Sequence, residues 1–161
     1  MRKRSRYTPK PYALSPLAHL MPLPKAERDR RALRILSAID TIASGSHPGR
    51  EEWDELANVI NRVDTVVSSG RLAVEDVPAT MALIVQAEDG MQAAGVRYRK
   101  GRPMRLDGPA LAALREIAQA WIWCLDHWTE AALWQADRET IARIERMSRD
   151  GTVRRVTLEA A

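Results

Sequence analysis

The chain has 161 residues, 45% of them apolar, which suits one domain with a real core and falls short of two independent ones. No run approaches the ~18 apolar residues that span a bilayer, and the opening MRKRSRYTPKP lacks the apolar block of a secretory signal, so the expected location is cytoplasmic, with no membrane partner. The net charge of +4 is uneven: residues 1–31 hold nine basic against two acidic side chains, which is +7, leaving −3 for the rest, so attraction to phosphate is concentrated near the N-terminus.

Residues 1–24 read as a basic, proline-rich arm. Pro9, Pro11, Pro16, Pro22 and Pro24 fix φ, remove backbone donors and disfavour helix at each preceding residue. Tyr12, Leu14, Leu17, Leu20, Met21 and Leu23 predict that the second half lies against this domain or a neighbouring subunit, leaving Met1 to Lys10 free. A first helix is expected from Lys25 to about Ser44, with Ala32, Leu36, Ile39 and Ala43 as its apolar stripe, Ile35 and Ile42 flanking it and Gly45 as the left-handed stop. The acidic pair Glu51-Glu52 opens a second helix, in which Trp53, Leu56, Ile60, Val63 and Val67 keep helical spacing until Gly70. Asp76 is the expected N-cap of a third, with Pro78 in its first turn and Met81, Ile84, Val85, Glu88 and Met91 following. Gly90 and Gly95 weaken that element, whose end is placed near Val96.

The segment from Arg97 to Arg105 carries five positive charges and no acid. Leu106-Asp107-Gly108-Pro109 then reads as an N-cap followed by a first-turn proline. It opens a long helix with Leu111, Leu114, Ile117, Ala118, Trp121, Cys124, Leu125 and Trp128 on one face. That helix either runs through Thr129 to about Ser148 or breaks there, Thr129 capping a fifth helix. Residues 150–161 read as a tail in preference to a strand. The expected fold class is all-α, a bundle of four or five helices over residues 25–149.

Chemistry-bearing residues are scattered. His19, His47 and His127 lack ligand spacing, one cysteine cannot build a structural zinc site, and no glycine-rich phosphate loop is present. Cys124 reads as a small buried hydrophobe, and its neighbours Asp126 and His127 as surface polars, because nearby helix positions point in different directions. Glu51, Glu52, Asp54 and Glu55 are explained by a helix's first turn. The expectation is a protein that binds and does not catalyse, with no catalytic residues, no metal and no cofactor.

Two sets of residues remain as candidate contacts. If the helix from Pro109 to Trp134 is continuous, Trp121 and Trp128 join the core stripe while Trp123 and Trp134 share the opposite face with Glu116, His127 and Glu130. Indoles on a polar face call for a covering surface, either other helices of the chain or a homodimer or partner interface containing Trp123, Trp134 and His127. The second set is basic. Arg2, Lys3, Arg4, Arg6 and Lys10, with Tyr7 available to stack, either track phosphates or simply solvate the terminus, and Arg97, Arg99, Lys100, Arg102 and Arg105 form a second patch. The acidic helix after the Gly45 turn would be a poor occupant of the major groove, so nucleic-acid contact would come without strong sequence readout.

The order of a basic MRKRSRY-x-PKP opening, a helical middle and GRPMRLDGPALAAL resembles an uncharacterised family of small bacteriophage and prophage proteins. Its members share a Leu-x-Gly-Pro-x-Leu-x-x-Leu helix start, which here is Leu106-Asp107-Gly108-Pro109-Ala110-Leu111-Ala112-Ala113-Leu114. The likeness covers most of the chain and departs between the second and third helices and in the four tryptophans from Trp121 to Trp134. It implies an accessory protein in the host cell cytoplasm that binds a host macromolecule, such as a defence or replication component. It brings no catalytic residues with it. A homodimer, a host protein and nucleic acid bound through the arm are the partners to weigh.

Overall fold

The computed structural model describes residues 20–45 and 48–152. Arg2, Lys3, Arg4, Arg6, Tyr7 and Lys10, His19 and His47, and the tail beyond residue 152 lie outside the described residues. Within them the fold is all-α, with five helices in chain order: α1 (Lys25–Ser44), α2 (Arg50–Ser68), α3 (Val77–Arg99), α4 (Gly108–His127) and α5 (Glu130–Arg149).

Helix boundaries follow local chemistry. Gly45 stops α1 in the left-handed region at φ 70°, its N–H donating to the Thr41 carbonyl. The Glu52 carboxylate accepts the Gly49 N–H at 2.7 Å as α2 opens. Asp76 accepts the Ala79 N–H at 2.9 Å and Asp107 the Ala110 N–H at 2.8 Å, so both expected aspartate caps form. The long-helix alternative is settled at Trp128, whose ψ of 152° leaves the helical region. Thr129 then caps α5 by accepting the Ala132 N–H at 3.2 Å.

Helix α2 is the hub, touching α1, α3, α4 and α5. Trp53, Leu56, Ile60, Val63 and Val67 are all buried on it, joined by Val59 and Val66. The expected α1 stripe needs correcting: Ile35, Ala38, Ile39 and Ile42 are the buried residues, whereas Leu36 is 39% exposed and Ala43 lies outside. The reason is that α1 packs on both α2 and α4, which centres its buried arc on the i, i+3, i+4, i+7 set Ile35, Ala38, Ile39 and Ile42 and not on the leucines. On α3, Ile84 and Met91 are buried while Val85 and Glu88 are exposed.

Helix α3 also runs past its expected end at Val96 to Arg99. Gly90 and Gly95 do not break it: both are buried, and Gly90 lies where α3 closes on α4, the most extensive helix pair among the described residues. A Cβ at Gly90 would collide with the Ala110 Cβ. The missing side chain is what lets the two helices approach, and packing outweighs the roughly 1 kcal/mol of helix propensity that glycine gives up.

Of the arm's apolar residues expected to pack, Leu23 does, whereas the Leu20 and Met21 side chains are exposed. Leu23 is buried, Pro22 bridges Thr129, and the Met21 carbonyl accepts the Glu130 N–H at 3.0 Å. These contacts place the chain's entry at the α4–α5 junction and satisfy an otherwise orphan donor at the start of α5.

Candidate functional site

The tryptophans divide between interior and surface. Trp121 is buried and meets Trp128 edge-on, with ring centroids 6.5 Å apart at 77°. Trp123, on the far side of α4, is 48% exposed, and Trp134 on α5 is 44% exposed. The expectation that Trp123 and Trp134 share a face with Glu116, His127 and Glu130 is overturned by the break at Trp128, which puts Trp134 on a separate helix with its own direction. His127 does accompany Trp123: the rings stack with centroids 4.3 Å apart at 14°, and His127 Nδ1 lies 2.8 Å from the Trp123 carbonyl oxygen. Trp134 is covered on one side by Arg138, whose guanidinium carbon sits 4.8 Å from the ring centroid. About two and three turns beyond Trp134 along α5, Ile141 and Ile144 are exposed as well.

The basic segment separates into two groups. The Arg97 guanidinium donates to the Arg105 carbonyl, and the Arg105 guanidinium lies against Gly45, where any Cβ would strike it. This places a positive charge at the C-terminal end of α1, a helix with no basic residue in its own last turn. Arg97 and Arg105 therefore brace the loop. Arg99, Lys100 and Arg102 are exposed.

Sequence reading missed a charged cleft of about 360 Å³ between α1, α2, α4 and α5, floored by Ile35 and Trp121. In it Arg31 donates to Glu27 at 2.8 Å, Arg34 faces Glu55 at 3.2 Å and Arg62 donates to Asp137 at 2.7 Å. The Arg62 guanidinium carbon also stands 5.4 Å from the Trp121 ring centroid. The Arg31 hydrogen bond, followed by Arg30, holds the Glu27 carboxyl below its ordinary range against the opposing effect of burial. Four arginines of the cleft face three carboxylates: Arg30 and Arg31 share Glu27 within α1, while Arg34 to Glu55 ties α1 to α2 and Arg62 to Asp137 ties α2 to α5. The run Glu27-Arg28-Asp29-Arg30-Arg31 carried the local half of this signal at i,i+4 spacing. The cross-helix half was not visible along the chain.

Cys124 is fully buried, and burial pushes its thiol up to about 12, so it stays protonated at neutral pH. Asp126 is engaged by Arg28 at 3.2 Å. Among the described residues no group of three or more His, Cys, Asp and Glu side chains is placed to hold a metal ion, and no helix is long and apolar enough to cross a membrane. No protein family, curated protein or solved structure matches the chain.

Proposed function

We propose that this chain is a non-enzymatic accessory protein of phage or prophage type that acts by binding, and that it presents aromatic surface on α4 and α5 to another protein. The observation that carries the reading is the exposure of two indoles, Trp123 at 48% and Trp134 at 44%. Burying an aromatic side chain is worth about 2 to 3 kcal/mol, and large aromatics are enriched among interface anchors. The first partner is a second copy of the chain, since a two-fold dimer covers the same face of both subunits at once. The mobile-element likeness extends this to a host protein, of defence or replication class, on the same surface. The alternative reading, nucleic-acid binding through the arm, rests on Arg2, Lys3, Arg4, Arg6 and Lys10.

Light scattering on the purified protein tests the proposal. A dimer is expected at tens of micromolar, with Trp123→Glu and Trp134→Glu shifting it toward monomer while keeping the helical circular dichroism of the parent. Trp121→Glu, which drives a charge into the core, is expected to unfold the chain. A parent that stays monomeric removes the dimer, and a Trp123→Glu variant as unfolded as Trp121→Glu removes the indole as an interface residue.

A further inference from the structure

We propose that residues 97–102, at the end of α3, form a contact site for single-stranded nucleic acid, with Arg99, Lys100 and Arg102 neutralising backbone phosphates and Tyr98 stacking on a base. This goes beyond the protein-binding reading, which concerns α4 and α5, and it assigns the site to a braced turn of the domain body instead of the arm.

Outside residues 97–105, nine of the thirteen described cations, Lys25, Arg28, Arg30, Arg31, Arg34, Arg50, Arg62, Arg71 and Arg143, sit within ion-pair distance of a carboxylate, and Arg115, Arg138, Arg146 and Arg149, spaced singly along α4 and α5, do not. In the segment from Arg97 to Arg105 there is no acid in the sequence, and among the described residues Arg99, Lys100 and Arg102 make no ion pair. The α3 C-terminus offers these three neighbouring cations only its partial dipole charge, so they repel one another, and a polyanion relieves that repulsion while releasing its own condensed counterions.

The turn that carries them is well braced. Lys100 and Arg102 N–H groups both donate to the Arg97 carbonyl at 3.0 Å, and the Gly101 N–H donates to the Tyr98 carbonyl at 2.9 Å. Gly101 takes the left-handed conformation at φ 69° that this closure requires. Beyond the turn, Met104 is buried in the core and Arg97 holds the Arg105 carbonyl. Binding therefore costs side-chain ordering but little backbone ordering. Tyr98, in the same turn, is 45% exposed, and an exposed aromatic among phosphate-binding cations is the pairing that single strands use, because their unpaired bases offer a free face. In a duplex those faces are already stacked.

The test is fluorescence anisotropy of the full chain with a labelled oligothymidylate and with a duplex of equal length, titrated with salt. Single strand is expected to bind more tightly. Arg99→Glu, Lys100→Glu and Arg102→Glu together are expected to flatten the log–log salt dependence by roughly 2, since each single-strand phosphate contributes about 0.7. Tyr98→Ala is expected to weaken the single strand by about tenfold with the duplex unchanged, and Tyr98→Trp to restore it. The same losses should appear in a background where Arg2, Lys3, Arg4 and Arg6 are alanine, which separates the turn from the arm. Circular dichroism checks folding, and a glutamine triple replaces the glutamate triple if the latter unfolds. Parent-like binding by the folded triple variant, duplex preferred over single strand, or displacement of the oligonucleotide by polyglutamate at equal charge concentration would each overturn the proposal.

Discussion

Helices α4 and α5 are neighbours in the chain and equal in length at 20 residues, yet they are held by different forces. Helix α4 buries eight residues, from Ala110 to Leu125, among α1, α2 and α3. Helix α5 buries three, Leu133, Ala136 and Thr140, and packs chiefly on α2. What α5 lacks in apolar contact it replaces with cross-helix ion pairs: Arg62 to Asp137 at 2.7 Å, Arg71 to Glu139 at 2.8 Å and Arg143 to Asp64 at 2.5 Å. Partly exposed pairs of this kind return about 1 kcal/mol or less each, while a buried leucine or isoleucine returns about 1.5 to 3. Two helices of one length can therefore differ several-fold in cohesion, and the weaker one leaves Trp134, Ile141 and Ile144 exposed.

The largest test of that contrast uses the same deletion in both helices. Leu114→Ala, in the fully packed part of α4, should cost about 4 kcal/mol, and Leu133→Ala, in α5, about 2, because α5 can shift to fill the space. Urea unfolding reads both, and equal costs would break the comparison.

How far the chain announces this arrangement depends on the range of the interaction. The caps Asp76, Asp107 and Thr129 and the stop at Gly45 act within one helical turn, so their residue types identify them directly. The burial of Trp53, Leu56 and Val63 on α2 was equally plain, because a hub helix buries a wide stripe whichever neighbour it meets. The centre of α1's buried arc was not, since Leu33 and Leu36 are as apolar as Ile35 and Ile39 and only the positions of α2 and α4 choose between them. The same holds for Gly90 opposite Ala110, for Arg105 over Gly45 and for the α2–α5 ion pairs. Each joins segments distant in sequence, and none has a local signature.

A third expected effect concerns the dryness of the α4 interior. The unfolded Cys124 thiol ionises near its ordinary value of 9.0, whereas in the folded chain it is pushed up to about 12. The folded state thus holds its proton longer, so this contribution to stability is intact below pH 9 and is lost as pH rises toward 12. The slope is at most about 1.4 kcal/mol per pH unit within that window. Urea titrations above pH 9 should show the decline in the parent and a shallower one in Cys124→Ala; matching slopes would mean that water reaches the thiol.

The smallest expected effect comes from the α5 ion pairs. Arg71→Ala should change global stability by only a few tenths of a kcal/mol. It should nevertheless speed amide exchange in α5 and leave α4 unchanged, because it loosens the attachment of one helix. Accelerated exchange in both helices would show that α5 opens only with the whole domain.

Native-state hydrogen exchange of the parent protein at low and high concentration tests the division between a core helix and a contact helix most directly. Amides of α5 should exchange faster than those of α4 in dilute solution, and should gain more protection than α4's core amides as concentration brings a second copy onto Trp123, Trp134, Ile141 and Ile144. Protection in α5 that equals α4's and does not respond to concentration would contradict the account.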